Sequence, residues 1–376
     1  MLARGPAICF LILGALFLIL GENSADSREK DPFPVEVLFE LPLAPAGMTV
    51  TPDGSFVVSV SHEEKPQNRV VEISKRGSTK PFPTVGISQA AQGEPLTLDS
   101  VQGMELDQEG VVWMLDNGRL NEAQPKIVAW DVPHNKLRRI LNLTAPAVLP
   151  GSNLGDLAVE PGHPFIYLTD PAGGSNAALL VVDSSTGLVR RVLQGHPSVV
   201  PVTGLDLIID GQKIQTKRLD GSLADPMGGV RSFALDKRGE WLYFGPMRSL
   251  KLYRIKTEHL RNPDLSQEKL AGLVEEYCAK PLSSGISLDS KGNIYVADLS
   301  GKAIGMINAG NRQYHVLVSD PRFIWPDGLC FGADGRLYFF NNVRQVRSRP
   351  DQEGGADAPT NYLFRLQTPG SGRMGD

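Results

Sequence analysis

Cysteine is scarce in this chain. Cys9 lies in an N-terminal apolar run, and only Cys278 and Cys330 follow it, so no dense disulfide framework holds the fold. Histidine is thin too, at six residues. Cys-x-x-Cys pairs and H-E-x-x-H are missing, which removes the usual ligand sets for zinc. A G-x-S-x-G elbow, a P-loop and a glycine-rich dinucleotide turn are missing as well. Charge of one sign is not concentrated anywhere. The formal net charge is −4 with acids and bases interspersed, so neither nucleic acid nor an anionic membrane surface is an expected partner.

Beyond the N-terminus no apolar stretch approaches the roughly 20 residues that span a bilayer. The N-terminus is different. Arg4 is the only charge before Glu22, and residues 7–20 are an unbroken run of apolar and small residues. A short positive region followed by such a run is the pattern of a secretory signal, expected over 1–25. Asn23 sits awkwardly at −3 for a cut after Ala25, and an uncleaved anchor is the alternative. The mature chain is expected outside the cytoplasm, extracellular or periplasmic, with no membrane span after processing.

What the chain does have is repetition. Six segments share one plan of strand, tight turn and second apolar strand: 47–60, 103–116, 156–170, 232–246, 285–298 and 328–342. Turns such as Asp53-Gly54, Glu109-Gly110, Lys291-Gly292 and Asp334-Gly335 mark hairpins, because glycine accepts positive φ without steric cost. Most copies are followed by a third strand, such as 126–131 or 251–256, and several by a fourth, such as 137–143. Four short antiparallel strands recurring in this way predict an all-β fold, a six-bladed β-propeller.

Strand 35–41 stands alone before the first hairpin, and strand 361–366 follows the last. Their pairing would close the ring and remove an exposed edge. The predicted organisation is therefore a single propeller over 26–367 with a flexible tail at 368–376. A pair of β-sandwiches would not explain six similar hairpins. Cys278 and Cys330 are expected to form one disulfide between neighbouring inner strands, with two buried thiols as the alternative.

In a tight hairpin the start of the first strand lies beside the end of the second. Those positions share one face of the disc, opposite the Asp-Gly turns, and they are polar. First-strand starts supply Gln102, Asp156, Arg231, Ser284 and Asp327. Second-strand ends supply Asp116, Asn117, Asp170, Asp298, Asn341 and Asn342, and Asn153 and Asp99 lie just upstream of two starts. The expectation is a polar funnel at the mouth of the central channel. Strand-end Asp residues also commonly accept backbone N–H groups of the following loop, so each has a purely structural alternative. The insertion 196–229 and the stretch 343–360 are long enough to cover this mouth. His62, after the first hairpin, is the one histidine placed at the funnel.

Several motifs resemble the Yellow/major royal jelly protein family. They include DSVQGMELDQEGVVWMLDNG at 99–118, KIVAWDVPHNKLRRILNL at 126–143 and FIYLTDPAGG through GHPSV at 165–199. GVRSFALDKRGEWLYFGP continuing to LYRIKTEHLRN at 229–262 is the fourth. The resemblance implies a secreted six-bladed propeller, in a family whose members bind biogenic amines, serve as nutrient or signalling proteins, or act on dopachrome. A weaker resemblance ties WPDGLCFGADGRLYF at 325–339 to the senescence marker protein/gluconolactonase propellers. It implies Asp327 as a metal ligand, with Asn153 as a displaced candidate for a second and no counterpart near Gly47 for a glutamate ligand.

Three functions follow as expectations. In the first, a small aromatic or amine-bearing molecule binds at the funnel, with Asp and Asn groups pairing with ammonium or hydroxyl and Phe323 and Trp325 as stacking walls. Tautomerisation there would use Asp156, Asp327 or His62 for proton transfer. In the second, Asn153 and Asp327 hold Ca2+ or another divalent cation in a lactonase. The third is a non-catalytic extracellular interaction protein. No motif requires a cofactor.

Overall fold

Each blade begins with a hairpin whose tip is a glycine at positive φ: Gly54, Gly110, Gly162, Gly239, Gly292 and Gly335 lie between 69° and 82°. The flanking residues alternate and are rich in Val, Ile, Phe and Tyr, so both faces of each strand pack against neighbouring blades. A computed structural model describes residues 33–89, 96–217, 222–347, 360–372 and 374. The expected signal segment 1–25 and most of the stretch 343–360 lie outside the described residues.

Six four-stranded antiparallel sheets form a six-bladed propeller. From the axis outward, blade 1 is Pro45–Val50, Phe56–Val60, Val70–Ile73 and Thr79–Pro81. Blade 2 is Val101–Leu106, Val111–Asp116, Lys126–Asp131 and Lys136–Asn142, and blade 3 is Leu157–Val159, Phe165–Asp170, Ala178–Asp183 and Val189–Val192. Blade 4 is Val230–Leu235, Trp241–Pro246, Lys251–Lys256 and Glu275–Ala279, and blade 5 is Ser283–Leu288, Ile294–Asp298, Ala303–Ile307 and Tyr314–Ser319. Blade 6 takes Pro326–Phe331, Leu337–Asn341 and Asn361–Leu366 from the C-terminal end, and its outer strand is Val35–Leu41. That outer strand runs antiparallel with Val35 opposite Leu366 and Leu41 opposite Asn361. Each inner strand packs on the next, and that of blade 6 packs on that of blade 1.

The core is distributed between blades. Tyr167, Phe244, Tyr295, Phe331, Phe339, Phe340 and Phe364 are fully buried in the layers that separate adjacent sheets. Among the described residues no helix is long and apolar enough to cross a membrane.

Two expectations are corrected here. Cys278 and Cys330 form no disulfide. Cys278 sits on the outer strand of blade 4, opposite Leu252, whereas Cys330 sits on the inner strand of blade 6. A different radius and an intervening blade separate them. The tail expected to be flexible is packed over 368–372. Thr368 is buried, Gly372 bridges to Asp289, and Met374 bridges to Phe331.

Candidate functional site

The inner strands of all six blades line a central cavity of about 80 Å³. At its polar end stand five residues from first-strand starts: Gln102, Asp156, Arg231, Ser284 and Asp327. They come from blades 2, 3, 4, 5 and 6; Gln102, Arg231, Ser284 and Asp327 share one register position, and Asp156 stands one residue further along its strand, level with Gly103. Arg231 Nη2 lies 3.7 Å from Asp327 Oδ2, with the two side chains 23% and 11% exposed. The Ser284 hydroxyl donates to the Pro326 carbonyl, which holds it at the wall between blades 5 and 6.

Electrostatics set this cluster apart. Burial pushes the Asp156 carboxyl up to about 7, and the nearby Asp327 charge pushes in the same direction, against the Leu157 amide and Arg231. Burial also raises the Asp327 carboxyl, and Arg231 is the main opposing influence. Two acids in one low-dielectric mouth cannot both ionise freely, and one guanidinium neutralises only one of them. Near neutral pH Asp156 therefore lies close to its own midpoint of ionisation.

Glu105 also lines the cavity, deeper toward the turn face, where its carboxylate accepts from the Val159 amide at 2.8 Å. Sequence reading missed it. Its position is in the middle of a strand, and only the alternation that puts residue 105 on the same side as 103 pointed to the channel.

The strand-end residues do something else. Asp116 accepts from the Asp99 and Ser100 amides, both at 2.8 Å, and pairs with Lys126 at 3.0 Å. Asp170 accepts from the Ser152 hydroxyl at 2.6 Å and the Asn153 amide at 2.9 Å, and pairs with Arg191 at 2.8 Å. Asp298 holds the Gly301 amide and the Tyr314 hydroxyl. Asn341 donates to the carbonyls of Arg322 and Thr360, Asn342 donates to that of Pro45, and Asn117 donates to that of Leu154. Asp99 accepts from the amides of Leu120 and Asn121. None of these seven lines the cavity. They fasten the connections between strands, the structural use of Asp and Asn at strand ends.

Three further expectations fail on geometry. Phe323 is fully buried, edge-on to Phe339 and Phe364 at 5.0 Å each, so it is core and not a wall of the mouth. Trp325 is buried beneath the insertion, packed with Leu207, Ile209, Ile214, Met247, Leu282 and Leu299. The insertion is thus seated on the polar face over blades 4 to 6, clamped by Arg248 to Asp225 at 2.8 Å and by Lys302 to Asp210 at 2.7 Å. His62 opens a short turn, His62–Glu64, away from the cavity. Burial lowers its pKa, opposed by Glu63 and Asp99 and helped by Arg119 and Arg344.

A divalent cation fits these residues poorly. The Asn153 side chain does not line the cavity; its oxygen faces the Asn117 amide at 3.5 Å. Asp327 already faces a guanidinium. In blade 1 a side chain at Gly47 would put its Cβ 1.8 Å from the Gln102 carbonyl, so no third ligand can come from there. Among the described residues no three His, Cys, Asp or Glu side chains are arranged to hold a metal ion.

Solved structures share this architecture. A calcium-binding regucalcin of Agrobacterium tumefaciens superposes with a TM-score of 0.54 at 14% identity, over 91% of this chain and 96% of its own. A luciferin-regenerating enzyme gives 0.55 at 11%, over 91% and 98%. A gluconolactonase of Xanthomonas campestris gives 0.52 at 12%, over 89% and 90%. At such identities the likeness is one of fold.

Sequence relatives lie elsewhere. Major royal jelly protein 1 of Apis mellifera is 22% identical over 272 residues, covering 68% of this chain and 60% of that protein. Major royal jelly protein 3 of the same organism is 21% identical over 269 residues, covering 68% and 47%. The chain thus matches less than two thirds of the length of either relative. The family model for the major royal jelly proteins matches residues 99–351, well over half of the chain, and the protein belongs to that family.

Proposed function

We propose that this protein is an exported propeller that binds a small amine- or hydroxyl-bearing organic molecule at the polar mouth of its channel. The observation that carries the reading is the convergence of Asp156, Asp327 and Arg231 on one cavity, with Ser284 and Gln102 beside them. An ammonium group would pair with the carboxylates in a partly desolvated site, where a charge-assisted hydrogen bond is stronger than in water. The cavity, at about 80 Å³, is small beside the roughly 300–1,000 Å³ of pockets that envelop a whole ligand. It suits the polar head of a ligand, with the remainder lying toward the mouth. Export is supported by the apolar N-terminal run followed by a polar segment.

The same pair of acids supports proton transfer. A carboxyl near pKa 7 beside a second acid can deliver a proton to one atom of a bound molecule while the other group removes one, as a tautomerisation requires. The lactonase alternative needs a bound cation at Asp327, where Arg231 opposes it. Thermal unfolding with serotonin, dopamine, calcium and a chelator separates the readings. Amine stabilisation without a chelator effect supports the organic-ligand site, because binding to the folded state alone raises stability by mass action. Calcium stabilisation with lactone hydrolysis would overturn it.

A further inference from the structure

We infer that the C-terminal segment beyond the last strand forms a floor across the turn-face end of the channel, making it a blind well that exchanges its contents through the polar mouth. The strand of blade 6 ends at Leu366. Beyond it Thr368 is buried, and its hydroxyl donates to the Gly370 carbonyl at 2.6 Å. The Gly370 amide donates to the Tyr295 hydroxyl at 3.3 Å, and the Ser290 amide donates to the Ser371 carbonyl at 2.8 Å. Gly372 then bridges antiparallel to Asp289, and Met374 bridges parallel to Phe331.

The direction of this path decides its role. Asp289 follows the last residue of the inner strand of blade 5, and Phe331 is the last residue of that of blade 6. Met374 packs against the apolar cluster of Val57, Met104, Leu106 and Val112, shared by blades 1 and 2. In a ring of six, blades 5 and 2 are diametrically opposed. A segment touching blade 5, then blade 6, then the junction of blades 1 and 2 crosses the ring rather than following its rim. Gly370 to Met374 can extend about 14 Å, at roughly 3.3–3.6 Å per residue, which suffices to pass over the axis.

The seat is fitted to this segment. A Cβ at Gly370 would lie 2.0 Å from Asp289 Oδ2, and one at Gly372 would lie 2.1 Å from the Phe331 ring. Only a chain without side chains at those points lies flat there. Asp289 is itself fixed by the Asn293 amide nitrogen Nδ2 at 2.8 Å and the Tyr295 hydroxyl at 3.1 Å. The cavity agrees with a floor at this level. The lining reaches Glu105, Leu235 and Cys330, at or next to the turn-face ends of their strands, where this segment lies.

Cys330 supplies a reporter at the base of the cavity, and the readout is independent of whether any amine binds. In a Cys278→Ser background, the alkylation rate of Cys330 by iodoacetamide is measured in the full chain, in a chain ending at Thr368 and in Gly372→Ala. Circular dichroism confirms the fold of each. The floor predicts slow labelling in the full chain and labelling faster by about tenfold or more in both variants, as local protection is removed. If the truncated chain does not fold, Gly372→Ala decides. Folded variants that label at the rate of the full chain would overturn the inference.

Discussion

Arg231 reaches from blade 4 past blade 5 to within 3.7 Å of Asp327 on blade 6. The pair bridges non-adjacent blades across the mouth of the channel, with Asp156 of blade 3 in the same lining. One cation thus moderates two acids, and most of the site's expected behaviour follows from that imbalance.

Replacing Arg231 with Gln leaves both carboxyls without a counter-charge. At pH 8, above the Asp156 midpoint of about 7, the variant is expected to lose about 1–2 kcal/mol, less than a fully buried pair because Arg231 keeps some contact with solvent. At pH 5 the loss should be smaller, because Asp156 is then protonated and the Arg231–Asp327 pair alone is lost. Urea unfolding at both pH values measures the difference, and an equal loss at both would contradict it.

Asp156 also gives the wild-type chain a pH dependence of its own. Its carboxyl is raised from 3.8 to about 7, so between those values the folded state holds a proton that the unfolded state has released. Stability from this group is therefore greatest at low pH and is lost as pH rises toward about 7. Asp156→Asn should flatten that part of the curve and raise the melting temperature at pH 8 by about 2–4 °C. Melting curves from pH 4.5 to 8.5 provide the comparison.

Asp170 and Asp116 should behave as fasteners. Removing Asp170 strands the buried Arg191 guanidinium and leaves the Ser152–Asn153 connection unheld. Asp170→Ala is expected to cost about 3–5 kcal/mol, and Asp116→Ala a similar amount through Lys126. Ligand affinity per folded molecule should stay near wild type, as chemical denaturation paired with calorimetric titration can show.

Cys278 and Cys330 should both react as thiols when unreduced protein is denatured, since neither is in a disulfide. Mass spectrometry after alkylation checks this, and a peptide pair linked through the two residues would contradict the fold described.

Much of the architecture could be read from local chemistry. Six glycine-tipped hairpins with alternating apolar strands specify blades, and the positions that open the first strands delivered Gln102, Asp156, Arg231, Ser284 and Asp327 to one cavity. The strand-end residues were ambiguous for a physical reason: a funnel and a loop fastener both call for an acceptor at the same place. What decided against the funnel, such as Lys126 facing Asp116 or Arg191 facing Asp170, lies on other strands of the same blade. Trp325 was misjudged because the insertion that buries it begins more than a hundred residues earlier. The tail looks polar and glycine-rich in sequence, yet its glycines fit Asp289 and Phe331, a match that emerges only once the ring is assembled.

Calorimetric titration of serotonin tests the proposed binding role of Asp156 and Asp327. Affinity is measured at pH 6 and pH 8 for the wild type and for Asp156→Asn. Because Asp156 ionises at about 7, the wild type should bind the amine more tightly at pH 8. Asp156→Asn should bind about tenfold more weakly at pH 8, a loss of about 1.4 kcal/mol, with little change between the two pH values. Serotonin affinity that is absent, or that is equal in both proteins at both pH values, would contradict that role.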